Sequence, residues 1–302
     1  MNQIPRLLRA LSEPLLLEPR MGQALVRVFQ KKLAGEAFDG ATLHAELGIP
    51  LEARRGPSDP TNSSSGIAVI PIYGLIAQHP QSLGASTEEI GFALDTAMAS
   101  RGVSAVLFDV DSPGGTVTGV PELAAKIAAY RGTKPMMSIA NGLMASAAYW
   151  VGSAADEIMV TPSGEAGSIG VYTVHEDWSK SLEQDGVAVT PISAGKYKLE
   201  GAPWAPLGEE GTAKLQQRVD EVYAWFVKAV AAHRGDTQKA VREGYGEGRV
   251  LGAEEALKAK LVDRIGTFDD ALARLSARVA RASGPSASRR GRELALDAER
   301  GL

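Results

Sequence analysis

The sequence predicts an α/β fold of repeated strand–helix units, and three observations carry that prediction. Residues 103–110 form an almost wholly apolar run, the pattern of a strand in a parallel sheet covered on both faces. Apolar runs of strand length alternate with stretches of helical spacing from residue 67 onward, which makes right-handed crossovers the expected connection. The composition, 44% hydrophobic and 23% charged over 302 residues, is that of an ordinary globular chain of one large domain with additions or two modest ones.

Residues 1–60 read as a helical N-terminal arm and linker. Pro5, Pro14 and Pro19 punctuate the arm, and 22–34 has helical spacing through Leu25, Val28, Phe29 and Leu33. Residues 54–66, rich in Ser, Pro and Gly, have linker composition. The main domain, 61–280, opens with a buried strand at 67–74 that ends on Gly74. Ser86-Thr87-Glu88-Glu89 is a capping box, and it starts a helix with Ile90, Leu94, Ala97 and Met98 inward. After the strand at 103–110 comes Asp111-Ser112-Pro113-Gly114-Gly115-Thr116, then a helix through Leu123, Ile127 and Tyr130. A strand at 136–140 breaks at Asn141-Gly142 and restarts as a helix over 144–154. A strand at 157–160, a Gly-rich turn at 163–170, a helix at 176–185, a strand at 187–193 and a long helix at 208–233 follow. Short strands at 249–251 and 261–263 punctuate a helix-rich last third. Residues 281–302 turn to Ser, Gly and Pro and then mix Arg with Glu, the composition of a flexible tail or the start of a linker.

Composition also excludes functions. A formal net charge of −4 argues against nonspecific nucleic-acid binding. Without cysteine there is no disulfide, no thiol nucleophile and no Cys-built metal site. The four histidines, at 44, 79, 175 and 233, lack metal-ligand spacing, so neither a metal nor a cofactor is expected. Charge, Gly or Pro interrupts every apolar stretch before the roughly 18 residues of a membrane span. The N-terminal stretch lacks a signal-peptide pattern, so action in the cytoplasm is expected.

One side chain stands out as a chemical payload. The hydroxyl of Ser146 lies near an expected helix start, where backbone N–H groups are unpaired. Small residues at 145, 147 and 148 let another backbone approach it. A serine that attacks an amide needs donors for the oxyanion and a base. Gly114 and Gly115, at the end of a buried strand, can turn bare N–H groups toward a ligand at the carboxyl edge of the sheet. The N–H of Ala147 follows the rule for a nucleophile at a strand-to-helix turn. The base is left open among His175, Lys196 and Lys198. A lysine would have to be neutral, a fall from about 10.4 to about 7–8 that costs on the order of 4 kcal/mol and requires burial. An extended peptide is expected to add as a strand beside the Gly114 segment, over a shallow apolar pocket near Met144 and Tyr73 that favours small side chains.

A set of motifs in fixed order adds to this reading: 67–74, Asp111-Ser112-Pro113-Gly114-Gly115, Ala145-Ser146-Ala147-Ala148-Tyr149, 167–171, 195–201, 248–252 and 261–266. The set, spanning roughly residues 65 to 275, resembles the signal peptide peptidase A family of Ser-Lys serine peptidases. His175-Glu176-Asp177-Trp178-Ser179, the run 202–206 and the arm before residue 60 resemble its phage-encoded branch, the prohead (capsid maturation) proteases. The resemblance implies Ser146 as nucleophile, Lys198 as general base, and Gly114 or Gly115 with Ala147 as the oxyanion hole, with His175 as the alternative base. It also implies a crotonase/Clp-protease-like superhelix of βαβ units. Ring-like homo-oligomers, in which serine and lysine can come from neighbouring subunits, are implied too. Capsid, portal or scaffold proteins would be the substrates, in the host cytoplasm or prohead. A signal-peptide-peptidase-like cytosolic protease and a non-catalytic capsid- or scaffold-binding module are the alternatives on the same fold. One departure bears on the site: the family often has glycines where this chain has Ala147 and Ala148.

Overall fold

The structure, a computed structural model, describes residues 14–33, 40–47, 66–80 and 83–282. The linker expected at 54–66, apart from Gly66, and the tail expected at 281–302, apart from residues 281 and 282, lie outside them. In chain order the elements are β1 (Leu15–Leu17), α1 (Pro19–Leu33), α2 (Gly40–Leu47), β2 (Ile67–Tyr73), α3 (Thr87–Ala99), β3 (Ala105–Ser112), β4 (Gly114–Thr116), α4 (Val120–Ala129), β5 (Met136–Ala145), α5 (Ala147–Ser153), β6 (Glu157–Val160), β7 (Glu165–Gly167), α6 (Ser179–Gln184), α7 (Glu209–Arg234), α8 (Gln238–Gly244), β8 (Val250–Gly252), α9 (Ala253–Lys258), β9 (Arg264–Ile265) and α10 (Phe268–Ala282).

The expected α/β architecture is present. Strands run β2-β3-β5-β6-β9, every neighbouring pair parallel, while β7 pairs parallel with β5 and antiparallel with β8. The apolar run becomes the inner strand β3, buried along nearly its whole length because helices cover both faces of the sheet. Alternate residues of the strands face opposite ways. Ile70, Val106 and Phe108 join a core with Leu94 of α3, Ile127 of α4 and Phe226 of α7. Ile67, Leu107 and Ile139 face Ala271 and Leu275 of α10. The capping box forms as expected, with the Ser86 hydroxyl accepting the Glu89 amide at 3.3 Å. Among the described residues, no helix is long and apolar enough to cross a membrane.

The strand expected at 261–263 forms instead at β9, Arg264–Ile265, and the turn expected at 163–170 contains β7; three further elements differ from expectation for a tertiary reason. The strand expected to stop at residue 140 continues as β5 to Ala145. Its second half finds new partners in β7 and in Ser112 of β3, and the Asp111 carboxylate accepts the Leu143 amide at 3.1 Å. The following helix therefore begins at Ala147, not at 144. Residues 187–193 form no strand: they are exposed, with no sheet edge to pair with. The N-terminal arm, expected to be helical, also contributes the short strand β1, which pairs antiparallel with β4.

Helix α5 is clamped along its length. Trp150 stacks on Phe226 with ring centroids 4.7 Å apart. The Tyr149 hydroxyl donates to the Leu261 carbonyl at 2.8 Å. Arg131 donates to the carbonyls of Ser153, Ala154, Ala155 and His233, and Ser153 Oγ lies 2.9 Å from His233 Nδ1.

Burial, aided by the nearby Arg131 charge, lowers the His233 imidazole to about 4. A folded pKa below the unfolded value of about 6.5 means that the unfolded chain binds the extra proton between those two values. Stability is therefore expected to fall as pH drops from about 6.5 to about 4, by on the order of 3 kcal/mol, and to be unaffected by this group above pH 7. Urea denaturation of wild type and His233→Gln across that range checks it: the variant should show a clearly flatter acid limb, and matching limbs would refute the assignment.

Candidate active site

Ser146 sits at the junction between β5 and α5, the place where a parallel strand delivers a side chain to the carboxyl edge of the sheet. Its backbone holds φ 55° and ψ −116°, a conformation that costs a non-glycine residue roughly 1–3 kcal/mol. Neighbouring backbone fixes it there. The Ser146 amide donates to the Gly167 carbonyl at 2.8 Å, and its carbonyl accepts the Trp150 amide at 3.0 Å. The residue is fully buried, and its Oγ has no hydrogen-bond partner. Ala147 is the first residue of α5, so its amide has no carbonyl four residues back within the helix.

The Gly114-Gly115 strand lies against this turn. Gly114 has φ 98°, and a Cβ on it would come within 3.1 Å of the Ala147 amide nitrogen and 3.0 Å of the Ala145 carbonyl. The two glycines differ in their bonding. The Gly114 amide donates to Ser112 Oγ at 3.2 Å, and Ser112 Oγ donates in turn to the Gly74 carbonyl at 2.7 Å. On its outer edge the strand takes the Ile76 amide onto the Gly114 carbonyl at 2.8 Å. Gly115 is paired across the β1–β4 ladder with Leu16. Gly114 thus lies beside the Ala145–Ala147 turn, while the atoms nearest a Cβ on Gly115 belong to Ile76.

The three candidate bases lie elsewhere on the chain. Lys198 and Lys196 are exposed, on a segment whose residues 187–198 are exposed throughout. Lys196 is engaged: it donates to the Tyr197 hydroxyl at 2.7 Å and pairs with Glu210 at 3.3 Å, and these bonds raise its pKa above the usual lysine value. Lys198 Nζ has no side-chain partner among the described residues. His175 is partly buried with Nε2 unpartnered. Asp177, two residues on, accepts the Ser179 amide at 2.9 Å.

A polar cluster near the site escaped the sequence reading. The Tyr73 hydroxyl donates to Asp109 Oδ2, Asn141 also bonds Asp109, and Asp109 Oδ1 is buried without a partner. Burial raises the Asp109 and Asp111 carboxyls above the usual carboxylate range. The available signal was the alternation Asp109, Asp111 within an otherwise apolar strand, which sets both carboxylates on one face.

Comparison with known proteins gives a consistent picture. A family model described as peptidase family S49 matches residues 128–281. The capsid assembly protease C of Escherichia phage lambda is 33% identical over 298 residues, covering 91% of this chain and 66% of that protein. The head-tail preconnector protein GP5 of Enterobacteria phage P21 is 31% identical over 280 residues, covering 87% of this chain and 55% of that protein. The chain therefore spans about half to two-thirds of the length of these relatives. Among solved structures, a ClpP1 variant from Listeria monocytogenes aligns with a TM-score of 0.43 and 16% identity, over 68% of this chain and 94% of that one.

The strained turn has a direct thermodynamic signature. Ser146→Gly is expected to be more stable than Ser146→Ala by about 1 kcal/mol, because only glycine adopts this φ without a Cβ penalty. Equal unfolding free energies for the two variants in urea would contradict the strained backbone.

Proposed function

This chain belongs to peptidase family S49, and from that premise we propose that it is a serine endopeptidase of phage capsid maturation whose Ser146–Lys198 dyad is completed between neighbouring copies. The observation that carries the chemistry is Ser146 itself: a strained strand-to-helix turn, a buried hydroxyl without a partner, and a helix-start amide beside it. In the reaction Ser146 Oγ attacks the scissile carbonyl while the base takes its proton. The Ala147 amide and a glycine amide of β4 donate to the oxyanion. The proton then passes to the leaving amine, and water releases the acyl group by the reverse path.

The exposure of Lys198 supports a site shared between chains. A lysine base has to be uncharged, and contact with water favours the charged form. Its segment also carries exposed Val187, Val189, Ile192 and Tyr197, with Ile192 98% exposed, an apolar stretch suited to packing on a second copy. A ring of head-to-tail contacts would bring each such segment onto the next Ser146 turn. Capsid, portal or scaffold proteins are the substrates this reading gives, in the host cytoplasm or prohead. The unpartnered Nε2 of His175 favours a second reading in which the imidazole is the base.

Three variants separate the readings. Ser146→Ala should abolish labelling by a fluorophosphonate probe, and Lys198→Ala should lower kcat/KM by about 10²–10⁴-fold, while His175→Gln stays within about tenfold of wild type. A large loss in His175→Gln with a small one in Lys198→Ala would transfer the base to the imidazole.

A site built across subunits makes a further prediction. Ser146→Ala and Lys198→Ala proteins, each inactive, should regain about a quarter of the wild-type rate when dissociated, mixed equally and reassembled, since a random ring pairs an intact serine with an intact lysine at that frequency. No recovery in mixed assemblies, verified by native mass spectrometry, would put both residues in one chain.

A further inference from the structure

The slot in which an extended peptide should add is already filled. β1 lies between two backbone edges. On one side Leu15, Leu16 and Leu17 pair with Thr116, Gly115 and Gly114 of β4, and the Glu18 amide donates to the Pro113 carbonyl at 2.7 Å. On the other side the Leu15 amide donates to the Tyr172 carbonyl at 2.7 Å, and the Leu15 carbonyl accepts the Tyr172 amide at 3.2 Å. A strand held by main-chain bonds from both flanks, with alternate side chains going to opposite pockets, is how strand-addition sites take peptide. Leu16 enters the main core, while Leu15 and Leu17 enter a second cluster with Leu25, Leu75 and Leu83. All three leucines are at most 3% exposed.

The strand also covers the reacting centre. A Cβ on Gly114 would overlap the Leu16 carbonyl oxygen and, in the same volume, would meet the Ala147 amide. The segment therefore crosses the turn that holds Ser146, which is fully buried. A nucleophile in that state meets no external carbonyl until the strand leaves. The strand is short, three of the four residues between Pro14 and Pro19, and it belongs to a separate two-stranded sheet with β4 and not to the main sheet.

We propose that the slot between Tyr172 and β4 is the peptide-binding groove, that it takes extended segments with leucine-sized apolar side chains, and that Leu15–Glu18 occupies it as an internal competitor that has to withdraw before substrate enters. This rests on the reading of Ser146 as nucleophile and deepens it, since it assigns the substrate class and a built-in block. It also replaces the expected preference for small side chains, because the resident side chains are leucines in closed apolar pockets.

The chain has no cysteine, so a reversible lock can be installed cleanly. Leu15 and Tyr172 exchange backbone hydrogen bonds, and Cα atoms in such antiparallel pairs lie about 5.5 Å apart, within disulfide reach. In the full chain carrying Leu15→Cys and Tyr172→Cys, a fluorescent Leu-Leu-Leu-Glu peptide should bind at least tenfold more weakly in the oxidised form than in the reduced form, read by anisotropy. Fluorophosphonate labelling should slow by a similar factor. Leu16→Asp, which expels the strand, should bind the peptide at least tenfold more tightly than wild type. If Leu16→Asp does not fold, the disulfide pair decides alone. Equal peptide binding in both redox forms, or no binding to the reduced form, overturns the proposal. A redox-dependent change in binding with no labelling of any form leaves the groove standing and removes Ser146 as nucleophile, so the two failures are distinguishable.

Discussion

The molecule is arranged to hold one backbone conformation. Ser146 keeps a positive φ that its own side chain disfavours, and the surroundings fix it from several directions at once. The Gly167 carbonyl takes its amide, and Gly167 is placed by pairing with Val250 of β8, next to which the Ser168 amide donates to the Arg249 carbonyl at 2.7 Å. A Cβ on Gly167 would come 2.7 Å from that same carbonyl, so two motifs far apart in the chain are one structural device. On the other side α5 is held by the Trp150–Phe226 stack and by Arg131. The strain at one residue is tolerated because none of these supports can relax independently.

Much of this was legible in the sequence, and the misses share a cause. β2, β3, α3, β6 and the long α7 follow from apolar runs, a capping box and helical spacing, which are local signals. The Ser146 turn was legible as a strand end followed by small residues. The course of β5 through Asn141-Gly142 was not, because its partners are the Asp111 carboxylate and β7, neither visible in local spacing. β1 is three leucines between prolines, and only a partner about a hundred positions away makes them a strand. Residues 187–193 have the composition of a strand without an edge to join, so propensity there had nothing to act on.

The site divides into a rigid half and an exposed half, and this division follows from what each must do. Oxyanion donors are useful only if they are fixed before the charge develops, and the backbone amides of β4 and α5 proposed for that role are fixed in this way. The proposed base has the opposite requirement. Lys198 must be withdrawn from water, yet its segment shows apolar side chains to solvent in the single chain. Tying its desolvation to contact between copies would make proton removal a property of the assembly, so that an isolated chain with a well-formed Ser146 turn stays idle. The resident β1 strand acts in the same direction from the substrate side.

The buried carboxylates explain how the fold reaches the site at all. Two Asp residues at the end of β3 are costly to bury, and their raised pKa values record that cost. Asp111 offsets part of it by accepting the Leu143 amide, a bond that a parallel neighbour cannot supply where β3 and β5 lose register between Val110 and Ser112. A Cβ on Gly142 would lie 2.6 Å from Asp111 Oδ1, so a larger residue there would push this carboxylate from its place. Held by this carboxylate, β5 runs on five residues past Ala140 and pairs with β7, and that pairing is what sets the Gly167 carbonyl in front of the Ser146 amide. An apolar residue at 111 would remove the desolvation cost, but it would leave the Leu143 amide without its partner and the turn without its support. The polar end of an otherwise apolar strand is therefore a structural condition for the Ser146 turn, acting through the backbone of β5 and not by contact with it.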